Sequence, residues 1–152
     1  PDSDIDLSQG FGVRAPRVQG LQIVKPPYGR VTAIDMNSGD HLWMIANADT
    51  PENIKNHRLL EGINIPRTGI PTRAGVLLTK ELLFIAEGTG GVGASPIFRA
   101  VDKATGEIIA EIDLPANQGG IPFTYEADGK QYVAMFVTSG SSAAELVAYA
   151  LP

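Results

Sequence analysis

The 152-residue sequence contains no cysteine, so disulfides and thiolate metal sites play no part in its fold. That absence fits cytoplasm and periplasm alike. Histidine is almost as scarce: His41 and His57 are the only two, and without ligand spacing they make no case for zinc. Basic charge is low too, with 12 Lys and Arg against 17 Asp and Glu and a net charge of -5. No basic stripe exists to displace counterions from phosphates, which excludes nucleic acid as a partner. No apolar run approaches the roughly 20 residues of a membrane-spanning helix. Pro1 to Leu7 are acidic and lack both an initiator methionine and a signal-peptide core, as expected of a chain processed or cut from a longer one.

What is present is turn chemistry. Seventeen glycines and eleven prolines make up nearly a fifth of the chain, scattered between short apolar runs, which is the pattern of many strands and tight connections. Residues 1 to 29 show no clean period and read as an irregular lead-in. From Arg30 the order is regular. Arg30–Asp35 and His41–Ile45 flank Asn37-Ser38-Gly39-Asp40, a hairpin turn in which glycine tolerates positive φ. Gly75–Thr79 and Leu82–Ala86 bend at Lys80-Glu81. Phe98–Asp102 and Ile108–Ile112 surround Ala104-Thr105-Gly106. Pro122–Glu126 turns at Asp128-Gly129 into Gln131–Val137, and Glu145–Leu151 follows.

One segment breaks the rhythm. Thr50 as N-cap with Pro51 at the first helical position predicts a helix running to about Leu60 and stopping at Gly62. Ile63–Pro71, with Pro66 and Gly69, should then be extended. An excursion of this length between strands is commonly functional. His41 is expected to be exposed beside its turn, and His57 to serve a local structural role or, alternatively, to touch substrate. Gly88–Gly93 looks superficially like a phosphate cradle. It lacks the following helix and the Lys-Ser/Thr pair, so it is expected to be a flexible loop.

The decisive feature is an internal repeat. Ala33, Asp35, Gly39 and Trp43 follow the spacing A-x-D-x-x-x-G-x-x-x-W, and Ala100, Asp102, Gly106 and Ala110 repeat it 67 residues later with alanine in the tryptophan place. Ala148-Tyr149-Ala150 is a degenerate third echo. In this spacing the aspartate accepts from backbone N–H groups of its turn and the glycine takes the left-handed position. The small residue leaves room for a ring, and Trp43 can wedge between sheets while its indole N–H finds a carbonyl. Burying such a ring stabilises by at most about 4–6 kcal/mol. Two ordinary hairpins would share the Asp and Gly positions, but Trp43 in register favours repeated four-stranded blades. Asp35 and Asp102 are explained by their turns and not as paired catalytic carboxylates.

This eleven-residue pattern resembles the tryptophan-docking motif of quinoprotein dehydrogenases, eight-bladed β-propellers that carry pyrroloquinoline quinone (PQQ) and calcium. Ile23-Val24-Lys25-Pro26-Pro27-Tyr28-Gly29-Arg30, Asp49-Thr50-Pro51, Asn56-His57, Ile65-Pro66-Arg67-Thr68-Gly69, Asp128–Tyr132 and Ala148–Pro152 are similar to runs of the membrane-bound glucose dehydrogenase branch. The resemblance implies an all-β fold of propeller blades: residues 30–46 ending one blade, 47–72 an excursion, 73–115 a second blade and 116–152 a final partial one. It further implies a C-terminal part of a periplasmic or periplasm-facing enzyme that oxidises a sugar or alcohol and passes electrons to the respiratory chain. The catalytic aspartate and the calcium ligands would lie on earlier blades, so the piece alone is expected to be inactive and to bind neither PQQ nor calcium. The loop Pro71–Gly75 is the cofactor-facing element that maps here, with Thr72, Arg73 and Ala74 as cofactor-binding residues. Arg73 either pairs with a quinone carboxylate or oxygen, or is a solvated loop arginine.

One stretch departs from the branch. Thr138–Ala143 lacks the histidine thought to bear on substrate, which speaks against glucose. A non-enzymatic propeller scaffold for protein binding is the alternative reading, since propellers host many functions. The missing blades, or further copies of the chain through open sheet edges, are the expected partners.

Overall fold

Leu82–Ala86 is a run of five apolar residues, a pattern that suits a strand covered on both faces. The computed structural model, which describes residues 16–89, 91, 93–139 and 143–150, places it as the second strand of a four-stranded antiparallel sheet. Strands are numbered here in chain order. β1 (Arg17–Val18) and β2 (Leu21–Gln22) form a small pair, and β3 (Arg30–Ile34) and β4 (His41–Ala46) form a hairpin. The central sheet follows the order β5 (Val76–Leu78), β6 (Leu82–Ala86), β7 (Ile97–Asp102) and β8 (Ile108–Asp113). In the last sheet β11 (Lys130–Thr138) pairs β12 (Glu145–Ala150) along one edge. Its other edge is shared end to end by β9 (Asn117–Gln118) and β10 (Phe123–Ala127).

The β3–β4 hairpin, the central sheet and the last sheet pack face to face through two cores. Leu83, Ile85 and Val101 meet Val31, Trp43 and Ile45 of the β3–β4 hairpin. The opposite face of β6 and β7 gives Phe84, Ala86 and Phe98, which meet Val133, Met135 and Val137 of β11. The Phe84 and Phe98 rings stack with centroids 5.7 Å apart. Alternation along β6 thus sends successive side chains into different cores, as a strand inside stacked blades requires.

Both repeat turns are built as the spacing predicts. Asp35 Oδ1 accepts from the N–H of Asn37 at 2.7 Å, and Asp102 Oδ1 accepts from Ala104 and Thr105, each at 2.8 Å. Gly39 and Gly106 sit at φ 81° and 78°. Trp43 then crosses to the next sheet, where its Nε1 donates to the Lys103 carbonyl at 3.0 Å. Its ring lies so close over Gly106 that a Cβ there would come within 2.8 Å of it. Gly106 therefore serves both its own turn and its neighbour's tryptophan. Ala110, in the tryptophan place of the second repeat, is exposed. Leu114, just beyond β8, joins the phenylalanines in the second core.

The excursion differs from the sequence expectation. The helix α1 spans only Glu52–Lys55, and a separate 3-10 turn covers Arg58–Leu60. Thr50 does not cap α1. It is buried, and its hydroxyl accepts from the Thr68 N–H at 3.0 Å, a long-range bond that competes successfully with local capping. His57 caps the start of the 3-10 turn by accepting from the Leu59 N–H through Nδ1 at 3.3 Å, while Nε2 meets the Gln19 carbonyl oxygen at 2.9 Å. That is the local structural role. His41 is exposed, as expected.

Candidate functional site at the long-loop end

Antiparallel connectivity gives the sheets two unlike ends. One end carries the tight turns 35–40, 79–81, 103–107 and 128–129. The other gathers the long connections 47–75, 87–96 and 114–122. Binding residues concentrate on long loops held by a rigid scaffold, so the second end is the candidate site.

Thr72, Arg73 and Ala74 lie there, in the extended chain entering β5. The Arg73 N–H donates to the Thr89 carbonyl at 2.8 Å, which bridges this segment to the loop after β6. The Arg73 side chain is exposed and has no ion-pair partner among the described residues. Thr72 and Ala74 are half-buried on either side of it and line a cleft of about 490 Å³ with Gly29, Val31, Asn47 and Ile70. The structure thus brings the three residues together at one end of the sheets but does not put Arg73 in the cleft.

Polar groups that the sequence reading did not single out organise this end. Glu87, directly after β6, and Arg99, in β7, are both buried, and Arg99 Nη2 donates to Glu87 Oε1 at 2.7 Å. Arg99 Nε also donates to Glu111 Oε1 at 2.5 Å, and the second Glu87 oxygen accepts from the Ser95 N–H at 2.6 Å. Arg67 of the excursion lies between Glu111, at 3.8 Å, and Asp49, at 3.9 Å. A charge set in an apolar strand was the available signal for Arg99, because such residues are almost never buried without a partner. Lys55 donates to Asp49 at 2.9 Å. That bond, with the Thr50 N–H, holds the Asp49 carboxyl below its ordinary range against the opposing effect of burial.

Two buried amides close the seams between sheets. The register pairs Val76 with Ile85, so Gly75 would next face Ala86. Gln118 enters there instead, its Oε1 accepting from the Ala86 N–H at 3.0 Å and its Nε2 donating to the Gly75 carbonyl at 2.9 Å. Asn47 Nδ2 donates to the Ala86 carbonyl at 3.4 Å from the preceding sheet. Among the described residues no group of three or more His, Cys, Asp or Glu could hold a metal ion. Part of the Thr138–Ala143 stretch, residues 140–142, lies outside the described residues, as do the first fifteen residues of the lead-in.

Four-stranded antiparallel sheets stacked face to face, riveted by a tryptophan and opening long loops at one end, define a β-propeller domain. The family model for the PQQ glucose/ethanol/alcohol dehydrogenase β-propeller domain matches residues 9–133. The chain belongs to this family of PQQ-dependent dehydrogenases. It is 34% identical over 145 residues to the glycerol dehydrogenase large subunit of Gluconobacter thailandicus, covering 88% of this chain and 18% of that protein. It is 33% identical over 143 residues to a probable quinate dehydrogenase (quinone) of Xanthomonas campestris pv. juglandis, covering 88% and 17%. With the quinoprotein glucose dehydrogenase of Gluconobacter oxydans it shares 28% over 149 residues, covering 93% and 17%. The chain therefore spans less than a fifth of the length of these relatives.

Proposed function

We propose that this chain forms part of the propeller of a quinoprotein dehydrogenase that oxidises a sugar or polyol, and that Thr72, Arg73 and Ala74 face its PQQ. The observation that carries the reading is Arg73: a guanidinium without a carboxylate partner among the described residues, at the long-loop end in a chain of this family. PQQ is a planar tricarboxylate, and a guanidinium matches a carboxylate or quinone oxygen with paired donors. When bound, PQQ supplies the acceptor for the two electrons removed from the carbinol carbon. Arg73 would neutralise and orient the anionic group. The half-buried Thr72 and Ala74 would shield one side of the same segment from water.

The relatives are named for glycerol, glucose and quinate, each of which offers a hydroxyl to oxidise, and this supports a polyhydroxy substrate. The catalytic carboxylate and the calcium ligands belong, in this reading, to blades outside the chain, so residues 1–152 alone turn nothing over. The electrons removed from the substrate would go on to a respiratory chain at a periplasm-facing membrane. The described residues contain no helix long and apolar enough to cross a membrane.

The test is dye-coupled oxidation by the full-length protein. Glycerol, glucose, quinate and ethanol would be offered with and without added PQQ and calcium. Turnover of at least one polyhydroxy compound, dependent on PQQ, is the expected result. Equal background rates across the panel in the presence of PQQ would instead favour a propeller serving as a binding scaffold.

A further inference from the structure

In the glycine-rich loop after β6, the described glycines Gly88 and Gly91 pack against the segment that carries Arg73. Gly88 is buried, with φ 71°, and a Cβ there would lie 2.8 Å from both the Arg73 carbonyl carbon and the Ala74 nitrogen. A Cβ on Gly91 would meet the Ile70 and Thr72 methyl groups at 2.6 Å and the Pro71 carbonyl at 3.1 Å. Between these glycines, the Thr89 carbonyl accepts from the Arg73 N–H. The segment Ile70–Ala74 thus lies directly on the loop, at a distance that no side chain permits. The loop is fixed in turn at its base. Glu87 is a single buried carboxylate that binds Arg99 of β7 with one oxygen and the Ser95 N–H with the other. It joins the residue leaving β6 to the residues entering β7.

We infer that Gly88, Gly91 and the Glu87–Arg99 pair are positioning residues for Arg73. The buried ion pair anchors the loop, the glycines let it support Ile70–Ala74, and the guanidinium is presented at a fixed height. This rests on the proposal that Arg73 contacts PQQ, and it adds that binding is set by a bed that never touches the cofactor. Pre-organisation of this kind reduces the ordering lost when the ligand binds.

A double-mutant cycle on the full-length protein tests it, reading the Kd for PQQ by equilibrium dialysis in calcium and the melting temperature of the PQQ-free protein. The variants are Arg73→Ala, Gly91→Ala and the two combined. The expectation is that each single change weakens PQQ binding by about tenfold, and that the combination is no weaker than Arg73→Ala alone, as coupled neighbours behave. If Gly91→Ala does not fold, Glu87→Gln takes its place in the same cycle. It removes one acceptor from between two donors while leaving the Arg99–Glu111 contact. Wild-type affinity in Arg73→Ala would overturn the underlying reading of Arg73. A loss in Arg73→Ala with no loss in Gly91→Ala, or with losses that multiply, would overturn the positioning role alone.

Discussion

At the scale of single residues, Trp43 and Gly106 show how one spacing serves two sheets. The ring is half-buried, so its removal should cost less than a full core deletion. Trp43→Ala is expected to destabilise the folded protein by about 3 kcal/mol, and Trp43→Phe by about 1–2 kcal/mol, reflecting the lost indole hydrogen bond and the smaller ring. Urea denaturation of the full-length protein with both variants checks the order. Asp102 sets a second expectation. The Thr105 N–H, with help from the Thr105 hydroxyl and the Ala104 N–H, outweighs burial and lowers its carboxyl below the ordinary 3.8. A pKa lower in the folded than in the unfolded chain means that the unfolded chain takes up the proton first as pH falls. The contribution is therefore complete above the unfolded value and is lost as pH drops through the folded one. Asp49 acts in the same direction. Melting temperature should fall below about pH 4, and Asp102→Asn should flatten that limb. An identical acid limb in the variant would count against it.

Most elements were legible in the sequence because their causes are local. Alternation, β-branched residues and the Asp–Gly turns are read within a few positions, and the strands fall close to where those signals put them. A helix after Thr50 was legible, but its shortness and its missing cap were not, because the Thr50 hydroxyl is taken by the Thr68 N–H, 18 residues away. The Glu87–Arg99 pair was hidden for a related reason: sequence shows two charges but not that they are buried together. Glycine content alone did not reveal that Gly88 and Gly91 let Ile70–Ala74 approach closely. Arg73 emerged only through resemblance to a family, since a lone arginine in a Pro-Thr-Arg-Ala-Gly loop carries no physical signal of its own. Gln118 also escaped notice, though it occupies the gap where the β5–β6 ladder opens. Gln118→Ala should leave the Ala86 N–H and the Gly75 carbonyl without partners and destabilise by about 2–3 kcal/mol. Gln118→Glu, which keeps the acceptor but loses the donor, should retain part of that loss. Hydrogen exchange at the Ala86 amide would report the first defect directly.

For the whole molecule, the arrangement of sheets leaves edges to be satisfied. Among the described residues, the β3–β4 hairpin pairs no further strand and β12 pairs only β11. Closed propellers avoid such edges, which otherwise template association. Expressed alone, residues 1–152 should self-associate, giving a mass above 16.1 kDa by light scattering that rises with concentration. Mixing with the remaining blades of the protein should suppress this. A monomer at every concentration would mean the edges are protected within the chain. Enzyme chemistry belongs to the same scale, because in the proposed reading the chain supplies scaffold and one margin of a cofactor site while the reacting groups come from other blades. The most direct test of that account is a titration of the full-length protein with PQQ in the presence of calcium. One PQQ bound per chain, with affinity reduced about tenfold by Arg73→Ala, as loss of a charge-assisted contact predicts, would fit the account. A full-length protein that binds no PQQ at any calcium concentration would contradict it.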